Sequence, residues 1–406
     1  MENIFIGRQA IYDKELKVSA YELLSRSNAE HNQAFVGEHN ANHATTIVML
    51  NALTEIGLEQ LVGNHPAFIN LTYDFLIGDN KIPDLRSQLV LEILEDVEVT
   101  DELVVAVKRL SDSGYMIALD DFIYHEKMLP LVEIADIIKI DILQLDEQGL
   151  REHVKKLRQY DVRLLAEKVE TQEEYDLCKE LGFDYFQGYF FCKPKLVESQ
   201  RAPANRMTII NLLAKLQDPE VQIEELEELI SQDLALSYRL LKYINSAAFA
   251  LQREVDSIHH AIVMLGLNTI RSLANLMLMS NIDDKPHDLL VIAIIRARMC
   301  EELGMLIDKK MKDIFFTAGL FSVIDALMDR TMEDVVSQLP LSSVLKDALL
   351  KQQGVVGEVL KCCIAFERAD WANVKCTDID EKTIQKAYFE AVIWSNDTIA
   401  LVAQKK

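Results

Sequence analysis

A chain of 406 residues with 65 acidic and 42 basic side chains carries a formal charge of −23. That balance excludes broad contact with DNA, RNA or an anionic membrane surface, which all require clustered Lys and Arg, and leaves only a local basic pocket for a small anion. Half of the residues are hydrophobic, enough for two or three domains with their own cores, yet no apolar run has the length of a membrane-spanning helix.

From Glu2 to about Pro194, short apolar strands alternate with helical segments, the pattern of βα repetition around a largely parallel sheet or barrel. Polar groups fall at the strand ends. VSAYELLSR presents Glu22, AFINLT presents Asn70, and LVLEILED presents Glu92 and then Glu95. Met116 to Phe122, MIALDDF, delivers two adjacent carboxylates, Asp120 and Asp121. DIIKID presents Lys139 and Asp141, RLLAEKVE presents Glu167, and FDYFQGYFF presents Gln187. Helices are predicted at Thr100 to Ser111, Gly149 to Tyr160 and Thr171 to Leu181, the last opening with a Thr-x-x-Glu capping box. A (β/α)8 barrel carries its chemistry at the C-terminal ends of its strands, so these groups are expected to converge on one mouth.

The strand pattern stops in SQRAPANR, where Pro203 limits any preceding helix. This predicts two domains, residues 1–200 as an α/β barrel and residues 201–406 as an all-helical domain, joined by a helix from about Asn205 to Leu216. In the second half Ile223, Leu226, Leu229 and Ile230 follow helical spacing, Asp233 is a candidate N-cap for LALSYRLLKYI, Gly266 suits a helix C-terminus, and Asn268 is placed to cap the next helix. Further helical patterns run from Leu289, Phe315, Met332 and Ile379. Adjacent His259 and His260 point in different directions on a helix and read as capped or core histidines, and the run around Met277 and Met279 reads as core.

The N-terminus, MENIFIGRQA, has neither a basic n-region nor a long apolar h-region, so the expectation is a cytoplasmic protein without membrane insertion. Six cysteines, Cys178, Cys192, Cys300, Cys362, Cys363 and Cys376, are scattered without a CxxC pair and read as buried, reduced thiols.

Glu22, Asn70, Glu92, Asp120 and Asp121 are hard oxygen donors, a set that suits Mg²⁺ or Mn²⁺ rather than zinc. The aspartate doublet suggests two ions: with Asp120 bridging and Asp121 on the second, they would lie about 4 Å apart, the spacing of two-metal phosphoryl chemistry. Lys139 can orient a nucleophilic water or neutralise phosphate charge; Glu167 can take that water's proton or complete the second metal site; Gln187 can hold a metal-bound water.

Over roughly residues 1 to 195 these motifs resemble the EAL-domain phosphodiesterases, which hydrolyse cyclic di-GMP to linear pGpG. YELLSR resembles the E-A-L signature with Leu23 in the middle place, FINLT the asparagine motif, LEILE the paired-glutamate motif, and ALDDF the metal-binding doublet. IIKID, LLAEKVET and FDYFQGYFFCKP resemble the lysine, glutamate and glutamine motifs. The resemblance implies metal roles for Glu22, Asn70, Glu92, Asp120 and Asp121, service to the nucleophilic water for Lys139, Glu167 and Gln187, and contact of Arg26 with the ligand phosphate. It also implies a role in motility or biofilm signalling and leaves a homodimer open.

This chain departs from that pattern in three places. Where the family carries Gly-Thr-Gly-Tyr-Ser-Ser after the doublet, Ile123 to Met128 stand instead, and Glu95, whose counterpart steadies that loop, is retained. Lys168 stands where the family usually places glycine, and the segment between Arg26 and Thr45 is shortened, without the usual Phe-Ile-Pro stretch.

The segment from Asn211 to Ser280 resembles the HDOD domain, a relative of metal-dependent HD phosphohydrolases, and the two-domain order resembles the EAL-HDOD signalling proteins. An HD centre needs several histidines and a His-Asp doublet; this half has His259, His260 and His287, with Ser322 and Val323 at the doublet's place after Ala-Gly-Leu. It therefore reads as an interaction or output module with an unidentified protein partner. Two functions follow for the barrel: a metal-dependent cyclic di-GMP phosphodiesterase, or a silent scaffold that binds cyclic di-GMP or only a protein.

Overall fold

The computed structural model describes residues 4–27, 57–78, 80, 82, 84–95, 97–188, 204–218, 221–231, 234–245, 255–279, 287–376 and 378–402. The chain divides into two compact units, Met1–Phe190 with Glu367–Trp371, and Phe191–Phe366 with Ala372–Lys406. The division expected between residues 200 and 201 lies outside the described residues, as do Cys192, Pro203, the candidate cap Asp233 and the segment that follows Ser27.

In the first unit eight strands close into a barrel in sequence order: β1 Ile4–Tyr12, β2 Val18–Ser27, β3 Ala67–Leu71, β4 Leu89–Ile93, β5 Met116–Leu119, β6 Ile137–Asp141, β7 Arg163–Glu167 and β8 Tyr185–Phe186. Strands β2 to β8 run parallel to their neighbours in sequence. β1 runs antiparallel to both β2 and β8, pairing Gln9 with Glu22 and Tyr12 with Phe186. This refines the (β/α)8 expectation, because an antiparallel pair needs only a tight turn. Here the Asp13 carboxylate closes it by accepting the N–H groups of Glu15 and Lys17, both at 2.9 Å.

Ile11, Ala20, Phe68, Val90, Ala118, Ile137 and Leu165, one from each of β1 to β7, form a single buried cluster, with Tyr185 of β8 packed against it. Outside the strands, α1 Leu58–Val62, α2 Tyr73–Ile77, α3 Asp101–Asp112, α4 Leu129–Val132, α5 Glu147–Leu157 and α6 Gln172–Glu180 fill the connections. Thr100 caps α3, and the predicted capping box of Thr171 and Glu174 opens α6. α5 starts two residues before the expected Gly149 because Asp146 caps it, and it ends at Leu157 rather than Tyr160.

The second unit is helical: α7 Ala204–Gln217, α8 Ile223–Ser231, α9 Leu234–Ile244, α10 Ile258–Leu265, α11 Leu267–Met279, α12 His287–Ile307, α13 Lys312–Phe321, α14 Ile324–Met328, α15 Met332–Gln338, α16 Ser343–Lys351, α17 Gly354–Glu367 and α18 Glu381–Val402. α12 packs on α13 and α18. A β-carbon on Gly319 would lie 2.4 Å from the Arg296 carbonyl oxygen, so the approach of α13 to α12 requires glycine there.

Three local expectations change. Asn268 is the second residue of α11 rather than its cap, and its amide donates to Asp313 at 3.1 Å. The last helix begins at Glu381, because Ile379 is bridged to Cys376. His259 and His260 are not core residues; His259 is exposed and His260 half-buried, and each has a carboxylate partner, His259 Nδ1 2.9 Å from Glu227 and His260 Nδ1 3.3 Å from Asp256. Gly266 does end α10, and Met277 and Met279 are buried. The five described cysteines are free and buried.

Candidate active site

Two residues beyond the buried layer, the interior face of the barrel turns polar. Side chains along a strand return to one face every second residue. Ala20, Phe68, Val90, Ala118, Ile137, Leu165 and Tyr185 are followed at that spacing by Glu22, Asn70, Glu92, Asp120, Lys139, Glu167 and Gln187. The last strand positions extend past the ladders through backbone bonds: Asp120 N–H donates to the Ile93 carbonyl at 2.9 Å, and Gln187 N–H to the Ala166 carbonyl at 2.8 Å. β1 runs the other way, so its equivalent is Gln9, two residues before Ile11 and paired with Glu22. Gln9 is the eighth position of the ring, and it precedes the apolar residue of its strand rather than following it.

Lys139 is the centre of this ring. Its ammonium lies 2.7 Å from Glu92, 2.7 Å from Asp120, 3.0 Å from Glu167 and 3.4 Å from Glu22. Both Lys139 and Glu92 are fully buried. Burial works against the Lys139 charge, but the surrounding carboxylates overcome it and hold its pKa well above the usual lysine range. Glu92 is pushed well above the usual carboxylate range, first by burial, with Glu22 and Asp120 adding repulsion against the opposing pull of Lys139. For the same reasons the Glu167 carboxyl is pushed up to about 8, burial leading and Asp120 and Glu22 adding to it. Gln187 donates from Nε2 to Glu22 Oε2 at 2.6 Å, which ties the last strand to the second.

Asp121 faces a different cation. Lys168 Nζ lies 3.6 Å from Asp121 Oδ2 and 2.6 Å from Asp141 Oδ2. Asp121 and Lys168 both occupy the left-handed region, at φ of 39° and 58°. The Lys168 turn is fixed by Val169 N–H, which donates to the Gln187 carbonyl at 3.0 Å. It also requires Gly188, whose φ is 154° and where a β-carbon would lie 1.9 Å from the Val169 carbonyl oxygen. After Asp121, Phe122 N–H donates to the Lys139 carbonyl at 2.9 Å, and its buried ring lies 5.9 Å from that of His153 in α5. The Ile123 to Met128 segment then leaves the strand, with Ile123 half exposed and Glu126–Met128 forming a 3₁₀ turn.

The expected residues are thus brought together unevenly. Glu22, Glu92, Asp120, Lys139, Glu167 and Gln187 form one connected group, and Asp121 stands beside it with Lys168. Asn70 is half-buried and in register with Glu92. Glu95 is exposed just past β4. The Arg26 backbone is part of β2, but its side chain lies outside the described residues.

The donor set suits a hard divalent cation. Four carboxyl groups share one ammonium, and Glu92 Oε2, Glu167 Oε2 and Asp121 Oδ1 are buried without a hydrogen-bond partner among the described residues. Among those residues no group of three acidic, His or Cys side chains is spaced around a common ion position. The oxygens converge on the Lys139 ammonium instead.

The EAL domain family model matches residues 8–194, and the HDOD domain family model matches residues 203–352. Over 413 residues the chain is 34% identical to cyclic di-GMP phosphodiesterase CdgJ of Vibrio cholerae, covering 99% of this chain and 94% of that protein. The chain belongs to the EAL-HDOD family. YuxH, an uncharacterized protein of Bacillus subtilis, is 32% identical over 97% of this EAL-HDOD chain and 98% of its own. The solved EAL domain protein of Listeria monocytogenes overlaps 46% of this chain and 87% of its own, at 19% identity and a TM-score of 0.38.

In the HDOD half the place of an HD doublet is taken up by packing. Ala318, Gly319 and Leu320 lie inside α13 rather than in a turn. Ser322 Oγ accepts from Arg296 at 3.0 Å and donates to the Gly319 carbonyl at 2.7 Å, while Val323 is buried. The His287 side chain lies outside the described residues. No helix among the described residues is long and apolar enough to cross a membrane.

Proposed function

We propose that the barrel hydrolyses cyclic di-GMP to linear pGpG with bound Mg²⁺ or Mn²⁺, as a cytoplasmic second-messenger enzyme in motility or biofilm control. The observation that carries this is the ring of hard oxygen donors on the polar layer of the barrel. Glu22, Asn70, Glu92, Asp120 and Asp121 would hold the metal, with two ions expected from the aspartate doublet. A bound divalent ion supplies Lewis-acid polarisation of the phosphoryl group and lowers the pKa of water.

The side chains supply the rest. The Lys139 ammonium offsets the carboxylate charge that would repel an anionic phosphodiester. Glu167, whose carboxyl burial pushes up to about 8, is placed to accept the proton of an attacking water. Gln187 uses Nε2 on Glu22 and keeps Oε1 to accept a hydrogen bond from that water. Arg26 is assigned to a substrate phosphate, and the HDOD half to an unidentified protein partner. A homodimer is compatible with this reading.

The direct test is product formation from cyclic di-GMP with either metal, over protein concentrations that span dimerisation. Glu22→Ala should abolish turnover while circular dichroism stays unchanged. No pGpG from the wild type under any of these conditions would overturn the proposal. A second reading, a barrel that binds cyclic di-GMP without turning it over, is favoured by the cation already placed at Asp121 and by the Ile123 to Met128 segment. Heat released on binding, without product, would establish it.

A further inference from the structure

We propose that Lys168 is a tethered cation that competes with a divalent ion for Asp121 and so weakens the metal position there. This rests on the metal reading above. Its basis is the juxtaposition of three groups from three strand ends: Asp121 after β5, Asp141 at the end of β6 and Lys168 after β7.

The backbone at Lys168 is held from both sides. Val169 N–H is bonded to the Gln187 carbonyl, and Gly188 is packed against the Val169 carbonyl. With φ at 58°, the lysine keeps a conformation that side chains with a β-carbon disfavour. A left-handed non-glycine residue beside a site of converging charge calls for an account of what its side chain does. The stem carries Nζ across to Asp141 at 2.6 Å and Asp121 at 3.6 Å.

The two carboxylates are not equivalent. Asp141 is buried and already accepts Leu143 N–H at 2.9 Å and the Gln144 amide at 3.2 Å, so with Lys168 both of its oxygens are engaged. It acts as the anchor. Asp121 has Oδ1 buried without a hydrogen-bond partner among the described residues and only the longer contact to Lys168 on Oδ2. It can still take an ion, but that ion would bind beside a fixed positive charge. Lys168 is about half exposed, so its ammonium has a route away from Asp121 towards solvent. A glycine at this position would supply neither the charge nor the competition.

The consequence is a metal position at Asp121 whose affinity rises when the Lys168 charge is removed. The experiment is a titration of the full chain with Mn²⁺, following free Mn²⁺ by electron paramagnetic resonance, with no nucleotide present. The wild type should show a tight and a weak class. K168M should tighten the weak class at least tenfold and leave the tight class unchanged, K168R should behave as the wild type, and K168G should match K168M. Equal weak-class affinity in the wild type and K168M would overturn the proposal, as would tightening in K168G alone, which would assign the effect to the backbone. Absence of Mn²⁺ binding in all four proteins would overturn the metal reading together with this one, whereas two equally tight ions in all four would overturn this one alone. Thermal unfolding of each variant confirms that folded protein is compared.

Discussion

Lys139 Nζ lies 2.7 Å from Glu92 Oε1, with both side chains excluded from solvent, and the same ammonium reaches three further carboxylates. A buried charge cluster of this kind is sensitive to the removal of a single partner, because the group left behind stays desolvated. Lys139→Met leaves four carboxylates facing one another. It should lower the urea unfolding free energy of the metal-free protein by about 3–5 kcal/mol, and saturating Mn²⁺ should restore part of that loss. An unchanged unfolding midpoint would remove Lys139 as the organising charge of the mouth.

Glu167 links stability to pH and turnover to a proton. Burial pushes its carboxyl up to about 8 in the fold from an ordinary value of 4.5, so the folded state favours the protonated form. The stability it contributes is fully present below 4.5 and is lost as pH rises towards about 8. Metal-free Glu167→Gln should therefore show a flatter stability curve than the wild type across this window. The same variant, loaded with Mn²⁺, should hydrolyse cyclic di-GMP about 10²- to 10⁴-fold more slowly. Identical stability curves for the two proteins would contradict the assignment.

His153 is buried under the segment that leaves Asp121. Burial lowers its pKa from the usual 6.5, against an opposing hydrogen bond with the Phe122 backbone and with Lys156 adding to the lowering. The unfolded chain thus takes up the proton first, and the protein loses stability as pH falls below 6.5, levelling off below the folded pKa. In His153→Leu the decline between pH 6.5 and 5 should be shallower than in the wild type. Parallel decline in both proteins, measured by chemical unfolding at each pH, would show that His153 is not the titrating group.

The strand-end residues were legible in the sequence because each follows an apolar residue of the interior layer by two positions, as Glu22 follows Ala20 and Lys139 follows Ile137. Gln9 escaped because β1 is antiparallel, which puts its polar residue before the apolar one. The reach of Lys168 was hidden for another reason: it depends on a positive φ and on the turn packed against Gly188, neither of which a residue pattern encodes. Asp141 reads as a strand-end acid, but its engagement by Leu143, Gln144 and Lys168 is a tertiary fact. In the helical half, the exposure of His259 and the half-burial of His260 follow from which face α10 turns outward, and one sequence fixes a helix's apolar stripe better than the place of residues at its margin.

The barrel closes through a strand of two residues, Tyr185–Phe186, that pairs with both β7 and β1. During synthesis, the strand that closes the sheet is made only after some 170 residues of chain have followed the first strand. Gln187, which ties itself to Glu22, is made at that same late moment. A chain stopped short of Tyr185 would lack both the strand that closes the sheet and the residue that clasps Glu22, so closure of the barrel and completion of the site depend on the same short segment.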